Sequence, residues 1–239
     1  RVEYDKLLIA TGANSFIPPV GNLREAKNVF GLRHLSDAQA IDQSAKEAEN
    51  IVIIGSGLVG LDAAYGLMET GKNVSIVEMA DRILPVQLDK TAAKEYQKRF
   101  ESAGAKFYLG RKAAETKMDE NGKITTVILD NGEELKSDLI IVAAGVRSAT
   151  AGFETEEIIV DRGMKVDEFM QTGAKDVYAA GDVTGLSGIW PNAQKQGETA
   201  ALNMMGGRVS YTDRFAAKNT INFFGLNSLC VGEIVPKET

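Results

Sequence analysis

NIVIIGSGLVGLDAAYGLMETGKNVSIVE, residues 50–78, is the stretch that decides the fold class of this chain. An apolar run over residues 51–54 leads into the turn GSGLVG at residues 55–60, and apolar residues at helical spacing follow. A second apolar run, residues 74–77, ends at the acid Glu78. The order strand, Gly-x-Gly-x-x-Gly turn, helix, strand and terminal acid predicts a dinucleotide-binding unit.

Each glycine of this turn has a physical role in such a unit. Gly55 permits the tight turn at the strand end, Gly57 lets a pyrophosphate approach the backbone, and Gly60 lets the helix pack closely on the strand. The helix begins near Leu58, so the N–H groups of Leu58 and Val59 and the positive end of the helix dipole face the phosphates.

Glu78 indicates which dinucleotide this unit prefers. Its carboxylate can accept hydrogen bonds from both hydroxyls of the adenosine ribose, and it would repel a 2′-phosphate. The next residues are Met79, Ala80 and Asp81, and the first base is Arg82, four positions on. We therefore expect NAD(H) rather than NADP(H).

Composition excludes several other function classes. The chain has 239 residues, a net charge of −6 and no run of basic residues, which argues against nucleic acid and against anionic membrane surfaces. No apolar stretch approaches the length of a membrane span, and no signal peptide is visible. The single cysteine, Cys230, and the single histidine, His34, predict no internal disulfide and no Cys- or His-based metal centre. These features fit a reducing cytoplasm.

The remaining patterns complete an α/β prediction. Helices are expected at residues 36–49 and 89–103, antiparallel hairpins at residues 113–136, and a buried strand at residues 138–143. Further expected elements are a strand at 4–10, a small hairpin at 158–166, a strand at 177–180 and a helix at 192–205. The sequence therefore predicts a Rossmann-like parallel sheet joined to an antiparallel β-meander.

Two further motifs, together with the turn at residues 55–60, carry a resemblance to a known family. YDKLLIATGA at residues 4–13 and VYAAGDV at residues 177–183 resemble two flavin-domain motifs of the FAD-dependent pyridine nucleotide–disulfide oxidoreductases. WPNA at residues 190–193 and QGETAA at residues 196–201 resemble the branch with NADH–rubredoxin reductases, NADH oxidases and the flavin portion of nitrite reductases. The resemblance covers essentially the whole chain.

The resemblance implies a set of FAD-binding residues. It places Asp182 at a ribityl hydroxyl of FAD, although an Asp that caps the following turn is the structural alternative. The helix after Pro191 would direct N–H groups at the flavin N1–C2=O edge, and its dipole would stabilise the anionic reduced flavin. The implied FAD contacts are Thr11, Gly12, Gly181, Asp182, Asn192 and Ala193.

The resemblance also extends the NAD site, with two departures from the family pattern. Gly145, in the AGVR segment, is assigned to NAD. Asp62 stands where the family commonly has a Glu that reaches toward the nicotinamide, so it is the candidate catalytic residue, with a helix-surface acid as the alternative. The segment after Arg147 reads SAT where the family usually has Pro-Asn.

The resemblance further implies a domain organisation. We expect residues 1–40 and 151–207 to form part of an FAD-binding domain, interrupted by an NAD(H)-binding domain at residues 41–150. Residues 208–239 would begin a C-terminal interface domain. The family carries two dinucleotide fingerprints and this chain carries one, so we expect a fragment whose missing N-terminal part holds the other fingerprint and any redox cysteine.

The implied activity is hydride transfer from NADH to FAD, with electrons passing on to an acceptor. Oxygen, a small electron-transfer protein such as rubredoxin or ferredoxin, a disulfide and a sirohaem partner all remain open, as does a homodimer of the parent protein. The alternative is an NAD-binding module without turnover. A third reading, a flavin-independent dehydrogenase using Tyr108 and Lys112, requires a helix where a short strand is expected.

Overall fold

The structure is a computed structural model that describes residues 3–212 and 215–232. Its helices are α1 Leu35–Ala45, α2 Leu58–Glu69, α3 Lys90–Ser102 and α4 Trp190–Met204, with a 3-10 turn at Gly181–Thr184. The first seven strands are β1 Leu7–Ile9, β2 Ala13–Ser15, β3 Val29–Gly31, β4 Asn50–Ile54, β5 Asn73–Glu78, β6 Lys106–Leu109 and β7 Ala113–Met118. The others are β8 Ile124–Leu129, β9 Glu134–Lys136, β10 Leu139–Val142, β11 Val146–Ser148, β12 Val177–Ala179, β13 Lys218–Phe223 and β14 Leu226–Val231.

A five-stranded parallel sheet forms the centre of the larger unit. Its strand order is β3-β10-β4-β5-β6, and Ile53 of β4 pairs with Ile76 on one side and Ile141 on the other. Ile51 and Ile53 are buried with residues of α2 and α3, whereas Val52 is buried with residues of the β7–β9 strands. Because strand side chains alternate between faces, these contacts place helices on one face and the meander on the other.

The antiparallel meander expected at residues 113–136 is present. β8 lies between β7 and β9 in a three-stranded antiparallel sheet, with register shifts along β7. Ile124, Val127 and Leu129 of β8 are buried against the parallel sheet. The predicted combination of a Rossmann-like parallel sheet and a β-meander is therefore confirmed.

The smaller unit is built on the parallel pair β1–β12 and on α4. Ile9 of β1 pairs with Ala179 of β12, and both are buried with Val183. α4 packs on β12 through Ala200, which is buried with Tyr178.

Backbone contacts divide the chain into two compact units. One comprises residues 1–14 and 146–217, and the other comprises residues 15–145 and 218–239. Residues 15–40 and the tail hairpin thus lie with the Gly-rich turn, whereas the sequence-based boundaries gave them to other domains. The assignment of segments to cofactors stays a prediction, and residues 213–214 and 233–239 of the predicted interface segment lie outside the described residues.

Two elements, helix α1 and the hairpin at residues 158–166, differ from expectation. α1 begins at Leu35 and ends at Ala45, because the Asp37 carboxylate accepts the N–H groups of Arg33 and His34 and so fixes the helix start one residue earlier. The hairpin expected at residues 158–166 is reduced to one isolated bridge between Val160 and Met164.

Candidate functional site

The Gly-rich turn lies between β4 and α2, in the larger unit. Gly55 has φ 105°, and a Cβ there would collide with the carbonyl of Ala143. A Cβ on Gly60 would collide with the carbonyl of Gly55. Both positions therefore require glycine for the reasons that the sequence indicated, a strained turn and close helix–strand packing.

Gly57 differs from its two neighbours. It caps the N-terminus of α2 with φ −70° and ψ −177°, and a Cβ there would meet no atom within 4 Å. Nothing in the protein itself requires glycine here, so the space beside Gly57 suits a ligand that approaches the backbone. Leu58 and Val59 form the first turn of α2, whose N–H groups lack acceptors within the helix. This arrangement fits a pyrophosphate.

Glu78 ends β5 beside this turn and is partly buried. Its Oε2 accepts hydrogen bonds from the backbone N–H of Ser56 at 2.8 Å and from the Ser56 hydroxyl at 2.9 Å. Its Oε1 accepts the backbone N–H of Ala80 at 2.8 Å. The structure therefore brings the predicted acid to the predicted turn.

The two other residues assigned to the NAD site lie in less enclosed positions. Asp62 is exposed on α2, where desolvation by neighbouring protein atoms raises the pKa of its carboxyl above the ordinary value. Gly145 is exposed with φ 91°, and its carbonyl accepts the N–H of Phe16 at 2.9 Å.

The alternative of a flavin-independent dehydrogenase required Tyr108 and Lys112 on one helix. Tyr108 lies on strand β6, so this helical Tyr-x-x-x-Lys arrangement is absent.

A separate pocket of about 470 Å³ opens within the smaller unit. It lies where β1 and β12 end, which is the edge of a parallel pair at which nucleotide ligands usually bind. Its lining comprises Leu8, Ala10, Gly12, Ala180, Gly181, Asp182, Gly188, Trp190, Ala193 and Gly197. Four predicted FAD contacts, Gly12, Gly181, Asp182 and Ala193, therefore share one pocket. Thr11 is the neighbour of that pocket, and its hydroxyl donates to the carbonyl of Ala149 at 2.7 Å.

A buried glutamine holds the turn that carries Asp182. The Gln196 side chain is fully buried, and its Oε1 accepts the N–H of Gly181 at 2.8 Å and the hydroxyl of Thr184 at 3.2 Å. The Ser148 hydroxyl donates to the carbonyl of Asp182 at 2.7 Å. These bonds fix the backbone of the turn from two sides.

The two donors predicted at the start of α4 are not equivalent. The N–H of Ala193 donates to the carbonyl of Ile189 at 3.1 Å, which is an ordinary bond within the helix. The Asn192 side chain is buried, and it donates to the Ser187 hydroxyl and to the carbonyl of Phe215, both at 2.9 Å. Only the backbone N–H of Asn192, in the first turn, is placed to serve a ligand.

Sequence reasoning missed three residues of these sites: Ser56, Gln196 and the pocket-lining role of Trp190. Trp190 is 83% exposed at the first position of α4. The hydroxyl of Ser56, between two glycines, was the one available signal. Within residues 3–212 and 215–232, His, Cys, Asp and Glu side chains form no cluster of three or more that could bind a metal ion. In the same residues, none of the helices has the length and apolar character of a membrane span.

Comparisons with known proteins show which family and which structures the chain resembles. The family model described as pyridine nucleotide-disulphide oxidoreductase matches residues 1–197. The NADH-dependent phenylglyoxylate dehydrogenase subunit epsilon of Aromatoleum evansii is 35% identical over 242 residues, covering 97% of this chain and 56% of that protein.

Two solved structures are also similar. An NAD-dependent persulfide reductase from A. fulgidus has a TM-score of 0.86 and 27% identity, covering 97% of this chain and 44% of that one. A covalent putidaredoxin reductase–putidaredoxin complex has a TM-score of 0.82 and 27% identity, covering 97% and 58%. The chain thus spans about half the length of these relatives.

Proposed function

Because this chain belongs to the pyridine nucleotide-disulphide oxidoreductase family, we propose that it is part of an NADH-dependent flavoprotein oxidoreductase. In this proposal, hydride passes from NADH to FAD and electrons then pass to an acceptor. The observation that carries the proposal is the glycine turn at residues 55–60, where Gly57 borders open space beside the anchored carboxylate of Glu78.

The NAD site needs only positioning groups. Gly57 admits the pyrophosphate, and the N–H groups of Leu58 and Val59 at the start of α2 donate to it. Glu78 accepts a hydroxyl of the adenosine ribose and opposes a 2′-phosphate, which favours NADH over NADPH. We keep Gly145 as a backbone contact of the dinucleotide, and Asp62 as the candidate for orienting the nicotinamide.

The pocket at the ends of β1 and β12 fits part of FAD. Asp182 lies in its wall and is proposed to accept a hydrogen bond from a ribityl hydroxyl, while Gly12 and Gly181 allow close approach of the backbone. The N–H of Asn192 and the positive end of α4 would stabilise negative charge on the isoalloxazine ring. When bound, the flavin supplies the hydride-accepting chemistry.

The wider assignments follow the same proposal. On the sequence motifs we assign residues 1–40 and 151–207 to FAD, residues 41–150 to NAD(H), and residues 208–239 to an interface domain. Of these, residues 15–40 and the tail hairpin belong to the compact unit that contains the Gly-rich turn. The acceptor would be a small electron-transfer protein or a small molecule, with no nucleic acid and no membrane as partner, in the cytoplasm. The putidaredoxin complex of one relative supports the first class of acceptor.

The flavin assignment is tested with Asp182→Ala in the whole protein that carries this chain. We expect the variant to retain less FAD after gel filtration than the wild type, because a charge-assisted hydrogen bond to the ribityl chain is lost. Asp161→Ala, a change at an exposed turn residue, is the control and should retain FAD normally. Equal FAD content in all three proteins would argue against the role of Asp182.

A second candidate function is an NAD-binding module without turnover. It is favoured by one observation: the Gly-rich turn and Glu78 lie together in the compact unit formed by residues 15–145 and 218–239. Reduction of an artificial dye by NADH discriminates the two, since a module without flavin would bind NADH and reduce nothing.

A further inference from the structure

The carboxylate of Glu78 is held by the protein before any ribose reaches it. Two of its three hydrogen bonds come from Ser56, through the backbone N–H at 2.8 Å and the hydroxyl at 2.9 Å, and both end on Oε2. The third comes from the N–H of Ala80 to Oε1 at 2.8 Å. A carboxylate oxygen accepts about two hydrogen bonds, so Oε1 retains capacity for one more.

Ser56 is itself fixed in place. It is fully buried, and its carbonyl accepts the N–H of Leu84 at 3.0 Å. The preceding N–H, that of Gly55, donates to the carbonyl of Val77 at 2.8 Å. Because the chain is held on both sides of Ser56, its hydroxyl has little freedom to move away from Glu78.

Resting on the proposed NADH function, we propose that Ser56 is a specificity-determining positioning residue. Its hydroxyl fixes Oε2 of Glu78 and leaves Oε1 directed to the 2′-hydroxyl of the adenosine ribose. Without the hydroxyl, Oε2 keeps one donor and the carboxylate can pivot about the remaining N–H bonds. Ordering Glu78 would then oppose ligand binding, since immobilising a flexible side chain costs conformational entropy.

The test uses the FAD-loaded whole protein and measures, by calorimetry, the binding of two ligands that lack the nicotinamide. These are ADP-ribose and the analogue of ADP-ribose that lacks the 2′-hydroxyl of the adenosine. These ligands report the adenosine end and require no hydride transfer. In Ser56→Ala we expect the Kd for ADP-ribose to rise about threefold to tenfold, the worth of one net hydrogen bond. The Kd for the 2′-deoxy analogue should change by less than about twofold, because its missing hydroxyl removes the bond that Ser56 supports.

A matched control and a second variant keep the result interpretable. Ser75→Ala removes a hydroxyl from β5, the strand that carries Glu78, and should change neither Kd. Ser56→Cys leaves no cavity and replaces the hydroxyl with a slightly larger group that is a weak donor, so the Kd changes should follow those of Ser56→Ala even if the alanine variant loses stability.

The outcomes separate this inference from the function on which it rests. An equal loss of affinity for both ligands, or no loss for either, overturns the role of Ser56 while the NAD site stands. Failure of the wild-type protein to bind ADP-ribose at all overturns the NAD site, and the inference with it.

Discussion

Three neighbouring residues of one turn, Gly55, Ser56 and Gly57, have different roles: the fold requires the first, and the other two are proposed to serve the ligand. Gly55 is required by its φ of 105° and by the nearby carbonyl of Ala143. Gly57 has an ordinary backbone conformation and open space around it. The glycine roles were predictable, because the motif itself specifies them. The contact between Ser56 and Glu78 was not, because it depends on how two strands place residues 22 apart in the sequence.

Two substitutions test whether Gly55 is needed for stability and Gly57 for ligand binding. Gly57→Ala should leave the melting temperature within about 2 °C of the wild type, because alanine tolerates φ −70°, yet raise the Kd for ADP-ribose at least about tenfold by filling ligand space. Gly55→Ala should lower the free energy of unfolding by more than about 1 kcal/mol. Thermal melts and calorimetry measure both. Normal ADP-ribose binding by Gly57→Ala would contradict a pyrophosphate position at this turn.

Helix α3 and the hairpin β13–β14 show what could and could not be predicted at the scale of elements. α3 was predicted to within a residue, because apolar periodicity and the Asp89 cap mark its limits. The hairpin lies in residues 208–239, which were predicted only as the start of an interface domain, without individual strands. Its packing depends on Tyr96 of α3, whose hydroxyl lies 3.2 Å from the carbonyl of Ile221 and 3.1 Å from that of Leu226. Such contacts join residues more than 100 positions apart and leave no local signal.

Removal of that hydroxyl should loosen the hairpin. Tyr96→Phe should lower the free energy of unfolding by about 1–2 kcal/mol, because the buried carbonyl of Ile221 loses a nearby donor. Chemical denaturation measures the change. Tyr65→Phe is the control: its ring packs on Phe223 and Phe224 in the same cluster, while its hydroxyl makes a solvent-exposed hydrogen bond to Glu69. The free energy of unfolding should therefore change by less than about 0.5 kcal/mol. Equal losses in the two variants would show that the hydroxyl of Tyr96 has no special role.

Asp138, which precedes β10 and accepts hydrogen bonds from the start of β4, should make the free energy of unfolding depend on pH. Burial alone would raise the pKa of the Asp138 carboxyl, but hydrogen bonds from the backbone and side chain of Asn50 and from the N–H of Glu49 outweigh burial and lower that pKa. A lowered pKa in the folded state means that the carboxylate stabilises the fold above the unfolded value of about 3.9. That contribution is lost as the pH falls through the folded pKa.

Asp138→Asn should therefore lower the free energy of unfolding at pH 7. Below about pH 4, the free energy of unfolding of the variant should fall less steeply with decreasing pH than that of the wild type. Denaturation midpoints across that range measure both effects. Asp130→Asn, at a turn residue that is exposed, is the control. If the free energy of unfolding of Asp138→Asn falls with acid as steeply as that of the wild type, the pH dependence arises from other groups.

At the scale of the whole molecule, the α/β class, the meander and the family were all available from the sequence, because the diagnostic motifs are local. The division into residues 1–14 with 146–217, and residues 15–145 with 218–239, was not. That division depends on which distant segments pair, as β1 does with β12 and β3 does with β10. The two candidate nucleotide sites fall in different units, one beside Gly57 and one beside Asp182.

The most direct test of the account is anaerobic stopped-flow reduction of the FAD-loaded whole protein by NADH and by NADPH, followed through loss of the visible flavin absorption. We predict that NADH bleaches the flavin in a saturable step, and that NADPH at equal concentration bleaches it at least about tenfold more slowly, because Glu78 opposes a 2′-phosphate. Equal rates with the two nucleotides, or a flavin that neither reduces, would contradict it.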